Sequence, residues 1–146
     1  RIFSAEPLPI PDPPGRTEGR YYETRCILKA RFESGLTVLV THFGLNPDEQ
    51  KNAVDTVLGH IEDERCILMG DFNLTPDSLF ITAFEFVDKF VDTASVTEDP
   101  LYTYPSHEPD RKIDYMFVSR DIEVKSVTIP KTTQSDHTPY LAELEL

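Results

Sequence analysis

Leu36-Thr37-Val38-Leu39-Val40-Thr41-His42-Phe43 is a nearly continuous apolar run that ends at a histidine. Leu36, Val38 and Val40 alternate with Leu39 and Phe43, so both faces of the segment demand burial. An apolar run of this length, rich in β-branched residues, reads as a strand inside a sheet covered on both sides. Immediately downstream, Asn46 can cap a helix, Pro47 suits its first position, and Glu49 can reach back to complete a capping box. Ala53, Val54, Val57, Leu58 and Ile61 then recur at helical spacing and give that helix one face for a sheet.

Working outward, Cys26 to Phe32 reads as a strand that turns at Glu33-Ser34-Gly35 into the central run. Arg65 to Gly70 is a further short strand. Ser78 to Val87 reads as a second helix, opened by Thr75-Pro76-Asp77. Pro100 to Arg111 is a turn-rich loop holding Tyr102, Tyr104 and His107. Three strands follow: Ile113 to Ser119, Ile122 to Ile129, and Tyr140 to Leu146. The turn at Ser119-Arg120-Asp121 predicts a hairpin between the first two of these. Near the start, residues 7–19 carry five prolines and two glycines and predict an extended loop. The element order predicts one domain over residues 1–146, α/β (α+β) in class, with a mixed sheet covered by helices on one face. The opposite face is then apolar and in need of a cover, from elsewhere in a longer protein or from a second copy.

Composition narrows the function. The formal net charge is −12, with 14 Lys and Arg against 26 Asp and Glu. That disfavours a protein gripping long DNA by its phosphates, which requires clustered cations. It does not disfavour a small phosphate ester, because a bound divalent cation calls for acidic ligands. Cys26 and Cys66 each precede an apolar run and read as small buried hydrophobes of a reducing, cytoplasmic compartment. No stretch approaches the roughly 20 apolar residues of a membrane span. Arg1 is not an initiator methionine, and the chain reads as a piece of a longer protein.

Acidic residues and histidines gather at the ends of the apolar runs. His42 ends the central run, Asp71 and Asn73 end the next in Gly70-Asp71-Phe72-Asn73, and Asp114 opens a later one in Ile113-Asp114-Tyr115. Asp136 and His137 precede the last in Ser135-Asp136-His137. Alone, each has an ordinary structural reading: a hydrogen-bonded histidine, an Asp/Asn turn, a strand start, a cap. If the strands are neighbours, their ends bring six polar groups into one pocket.

This ordered series resembles the endonuclease/exonuclease/phosphatase, or DNase I-like, family from about Glu23 to Leu146. The resemblance implies the C-terminal half of a four-layer α/β/β/α sandwich and metal-dependent hydrolysis of a phosphate ester, as in a phosphodiesterase, nuclease or phosphatase. It implies that His137 stands beside the scissile phosphate while Asp114 takes its other ring proton. Asp71 orients or deprotonates the attacking water. Asn73 holds a phosphoryl oxygen or a metal-bound group, His42 donates to phosphate, and Asp136, with Asp71 and Asn73, ligates Mg²⁺ or Mn²⁺. Arg25 either clamps phosphate with its planar fork or forms a surface salt bridge. Arg111 and Lys112 read as an ordinary solvated pair.

The family also uses an earlier half that supplies an asparagine, a metal-binding glutamate and the second sheet. The resemblance therefore implies an incomplete site in this chain and a partner in the missing N-terminal half, or self-association through the open sheet face. The substrate stays open between a small molecule, a lipid headgroup and a short nucleic acid. A non-catalytic binding or assembly module of the same fold is the rival reading. A binuclear calcineurin-like phosphoesterase is disfavoured, because Asp71 is followed by Phe72-Asn73-Leu74 and the chain has no Asn-His pair.

Overall fold

The computed structural model describes residues 1–61, 65–86 and 89–146. Its elements run β1 (Ile2–Pro9), β2 (Cys26–Phe32), β3 (Thr37–His42), α1 (Pro47–His60), β4 (Cys66–Asp71), α2 (Leu79–Phe86) and β5 (Phe90–Asp92). A 3-10 turn (Thr93–Val96) follows, then β6 (Asp114–Ser119), β7 (Glu123–Thr128) and β8 (Leu141–Glu145). Six strands form one mixed sheet in the order β1-β2-β3-β4-β6-β5, and β7 pairs with β8 in a separate two-stranded sheet. β3 and β4 are parallel, with α1 between them in sequence, and the other pairings of the large sheet are antiparallel.

The central run is a strand buried on the face toward the helices and half-buried at Val38 and Val40 on the other. Leu39 and Phe43 are fully buried against Leu68, Phe72, Tyr115 and Phe117, together with Ala53, Val54 and Val57 of α1. Val38, on the other face, packs with Ile67, Met69, Met116 and Val118. α1 begins as expected. The Glu49 carboxylate accepts the backbone N–H of Asn46 at 3.2 Å, its side-chain amide at 2.6 Å and the N–H of Glu23 at 3.1 Å. Three donors that would otherwise be orphaned at the helix entrance are satisfied by one buried side chain.

Several expectations need correction. The hairpin predicted between Ile113–Ser119 and Ile122–Ile129 does not form. β6 is spent between β4 and β5, and β7 finds its partner in β8. A tight turn cannot distinguish a hairpin from a strand that leaves its sheet, because both reverse the chain. The second face is not left bare either. Val124 and Leu144 of β7 and β8 pack over Leu36, Ile67, Val118 and Ile122, while Leu28, at the far end of that face, stays exposed. The proline-rich segment predicted as a loop over 7–19 opens as strand, since Pro7 and Pro9 belong to β1. That strand lies on the sheet edge, where proline is tolerated. Cys66 is buried but Cys26 is exposed. The second helix begins at Leu79, and Val87, its last expected position, lies outside the described residues. No helix among the described residues is long and apolar enough to cross a membrane.

Candidate active site

Strand register assembles the site. His42 lies opposite Asp71 across the parallel β3–β4 pair, and Asp71 lies opposite Asp114 across the antiparallel β4–β6 pair. Three side chains from strands far apart in sequence therefore stand in a row, on the face turned away from the helices. Gly70 permits the close approach of β3 and β4. Its φ is 145°, and a Cβ there would meet the Thr41 carbonyl oxygen at 1.8 Å. The next turn places Asn73 in the left-handed region at φ 50°. It is held by its N–H on Asp71 Oδ1 (2.8 Å), by Nδ2 on the Phe43 carbonyl (2.9 Å), and by Gln50 of α1 donating to its own carbonyl.

His137 arrives from the loop before β8. That loop is bolted to the 99–111 loop: Ser106 N–H donates to the Asp136 carbonyl and Thr138 N–H to the Thr103 carbonyl, both at 2.8 Å, with Thr103 fully buried. Tyr140 then anchors β8, its hydroxyl 2.8 Å from Thr93 Oγ1, while Thr93 donates to the Met116 carbonyl of β6. Burial pushes the Tyr140 phenol up to about 12, so it serves as a hydrogen-bonding group near neutrality.

His137 Nδ1 lies 2.8 Å from Asp114 Oδ2, and its Nε2 faces Asp71 Oδ2 at 3.8 Å. His42 Nε2 approaches the same Asp71 oxygen at 3.2 Å. Asp71, Asp114 and His137 each hold a potential ligating atom within 4.8 Å of the others. Burial pulls the His137 pKa down. The hydrogen bond and charge of Asp114, with the fields of Asp71 and Asp136, outweigh it and hold the imidazole above its ordinary value. A cleft of about 540 Å³ opens over His42, Asp71 and His137, and Arg25, Asn73, Tyr104, Arg111 and Asp136 line it with them.

Six of the seven residues singled out in the sequence line one cleft, and the seventh, Asp114, is paired with His137 without lining it. Arg25 forms the salt bridge of one of its two readings and also lines the cleft. It pairs with Glu23 at 2.5 Å and reaches the His42 carbonyl at 3.4 Å, while its buried Nε has no partner among the described residues. Lys112 departs from its reading. It is 5% exposed, paired with Asp92 at 2.7 Å, and lies over the Tyr115 ring. Arg111 does line the cleft, its guanidinium 5.3 Å from the centre of the Tyr104 ring. Tyr104, named in the sequence only as one ring of the 100–111 loop, is a further contributor to the cleft. Its ring packs 4.9 Å from the His137 imidazole. The only signal was its place in a turn-rich loop before Asp114, which gives no hint of a contact with residue 137.

The oxygen donors here suit a hard divalent cation. Asp71 and Asp136 offer carboxylates, and because Asn73 Nδ2 is spent on Phe43, its Oδ1 is left without a partner among the described residues.

The endonuclease/exonuclease/phosphatase family model matches residues 9–137. The chain belongs to the endonuclease/exonuclease/phosphatase family. No curated protein matches it in sequence. Solved structures share the family's fold. A mannosyl-6-phosphatase of Bacteroides thetaiotaomicron superposes with a TM-score of 0.79 at 18% identity, covering 100% of this chain and 67% of its own. An endonuclease/exonuclease/phosphatase protein of Bacteroides vulgatus gives 0.76 at 24% identity, covering 100% and 66%. The human Nocturnin catalytic domain, solved with bound sulfate, gives 0.69 at 13% identity, covering 99% and 59%. The chain therefore spans about two thirds of the length of the two Bacteroides structures. The mixed α+β architecture is that of these DNase I-like neighbours.

Proposed function

We propose that this chain carries the catalytic acid–base groups of a divalent-metal-dependent phosphate-ester hydrolase. The observation that supports it most is the Asp71–Asp114–His137 group, in which strand register sets Asp71 beside Asp114 and the loop before β8 brings in His137. In this reading Asp114 fixes His137 with Nδ1 inward, so that Nε2–H is free to donate to a phosphoryl oxygen in the cleft. Asp71 Oδ2 takes the proton of the attacking water. His42 and Arg25 donate to the remaining phosphoryl oxygens, and Tyr104 braces the imidazole. Asp136, Asp71 and Asn73 would hold Mg²⁺ or Mn²⁺, which when bound withdraws charge from the phosphoryl group and the leaving oxygen.

The substrate we assign is a small or short phosphate ester in preference to long duplex nucleic acid. The net charge of −12 repels a polyanion, while Arg25 and Arg111 at the cleft suffice for one phosphoryl group. A sugar phosphate, the substrate named for the Bacteroides thetaiotaomicron structure, lies within that class. We assign the complete activity to a protein of the relatives' full length, whose further residues would cover Leu28 and the open end of its sheet face, and place it in the cytoplasm.

The test is hydrolysis of a panel of phosphomonoesters and phosphodiesters with Mg²⁺, Mn²⁺ or EDTA. It compares the chain alone, the chain within a full-length protein, and the latter carrying His137→Ala. Turnover that needs metal and is lost with His137 supports the reading. A full-length protein inert on every ester with every metal would leave the non-catalytic binding module in its place.

A further inference from the structure

A second, larger cavity lies on the other side of the loop pair that carries His137. Its volume is about 830 Å³, within the range of small-molecule sites, and it shares no lining residue with the cleft. Its walls are the 99–109 loop, the end of β7 and the segment to Thr133.

Three features mark it as more than a packing gap. Leu101 lines it, is 5% exposed and holds φ at 50°, a left-handed conformation that a bulky side chain rarely adopts. Asn73, in the active-site cleft, is its one non-glycine counterpart among the described residues. Tyr102 presents a ring that is 42% exposed, and no described residue bonds its hydroxyl. Asp99 and Lys131 also line the cavity, and neither side chain has a partner among the described residues.

The chemistry of the lining selects the ligand. Asp99 and Lys131 balance in charge, so a simple anion or cation gains little. Their carboxylate and ammonium, with the Thr128 and Thr133 hydroxyls and the His107 imidazole, offer both hydrogen-bond acceptors and donors. A lipid chain would leave all of these unpaired, at a cost. A polyhydroxylated ring satisfies both kinds at once, because each of its hydroxyls donates and accepts. Its C–H face can lie on the Tyr102 ring.

We propose that this cavity is a binding site for a neutral saccharide, separate from the cleft in which the phosphate ester is handled. Sugar bound here contacts Ser106 and Thr138, whose backbone bonds hold Asp136 and His137 in place.

The experiment is a titration of the full chain, followed by backbone amide NMR, with methyl α-mannoside, methyl β-glucoside and maltotriose as probes. Hexanoate and phenyl phosphate are the contrasting probes. Saturable shifts are expected at the amides of residues 99–102 and 127–133, with affinity on the order of millimolar. Tyr102→Ala is expected to weaken binding about tenfold, and Thr128→Arg to abolish it by filling the cavity. His137→Ala leaves it unchanged, so failure here and failure of the hydrolysis reading are distinguishable. Each variant is checked first by its thermal melt, and if Tyr102→Ala does not fold, Thr128→Arg decides. The proposal is overturned if no saccharide moves those amides, if only hexanoate or phenyl phosphate does, or if a folded Thr128→Arg variant binds as the parent does.

Discussion

Lys112 and Asp114 stand two residues apart at the entrance to β6, and each anchors an ion pair. Lys112 and Asp92 meet at 2.7 Å with side chains 5% and 15% exposed. Asp92 also accepts the Ala94 N–H, and the ammonium lies 4.3 Å from the centre of the Tyr115 ring. Asp114 and His137 meet at 2.8 Å with side chains 19% and 26% exposed, and His137 Nε2 still faces Asp71 across 3.8 Å. The charges are alike in kind, and the separations differ by a tenth of an ångström. The difference lies in unspent valence. The first pair has its polar groups engaged and closed over, which makes it a strut. The second keeps one imidazole nitrogen turned, beside the Asp71 carboxylate, to an open cleft, where a group can do chemistry.

The largest test of this contrast is to break the open pair. His137→Ala is expected to lower metal-dependent hydrolysis by a full-length protein by about 10²–10⁴, the range for loss of an acid–base group. Its melting temperature should stay within a few degrees of the parent's. If activity and melting fall together, the open pair is a strut as well.

Breaking the closed pair should do the reverse. Lys112→Met leaves the Asp92 carboxylate buried without its partner, and is expected to cost about 3 kcal/mol in denaturant unfolding. The folded enzyme's kcat should hardly change. Adding Asp92→Asn should recover part of the loss, since the stranded charge is gone. No recovery would mean that the cost lay in packing against Tyr115.

A smaller loss checks whether α1 feeds the site. Glu49→Ala removes the acceptor of three donors at the α1 entrance, one residue before the Gln50 that contacts Asn73. The expected cost is about 1–2 kcal/mol of stability, by urea titration. KM should rise more than kcat falls, because Asn73 loses its support.

The smallest effect sharpens the open pair by its protons. The folded His137 pKa is raised above its ordinary 6.5. Its imidazolium therefore contributes stability that is complete below pH 6.5 and is lost as pH rises through the folded value. Imidazole proton shifts followed against pH in EDTA should give a midpoint above 6.5, and Asp114→Asn should lower it. A midpoint unchanged by that substitution would show that Asp114 does not hold the ring's charge.

Much of this was legible in the residues. The capping signals at Asn46, Pro47 and Glu49 act over one helical turn, so they read the same in the sequence as in the fold. The apolar run around His42 read as a strand because it is short and rich in β-branched residues, which are local properties. Gly70-Asp71-Phe72-Asn73 and Ile113-Asp114-Tyr115 carried the site because polar residues at the ends of apolar runs are unusual enough to be seen locally.

What stayed hidden was long-range. Pairing of β7 with β8 instead of β6 depends on which edge is free once β5 has taken its place, and no local pattern records that. β1 was masked by prolines that only an edge position tolerates. Whether Lys112 was solvated or sealed depended on Asp92, twenty residues away, and whether Tyr104 met His137 depended on a loop closed through Thr103 and Thr138. The sequence by itself determined which residues had chemistry to offer and which segments had to be buried, because side-chain type and periodicity are properties of neighbours along the chain. The tertiary structure alone decided which charges were closed and which left open, because desolvation and hydrogen-bond satisfaction belong to neighbours in space.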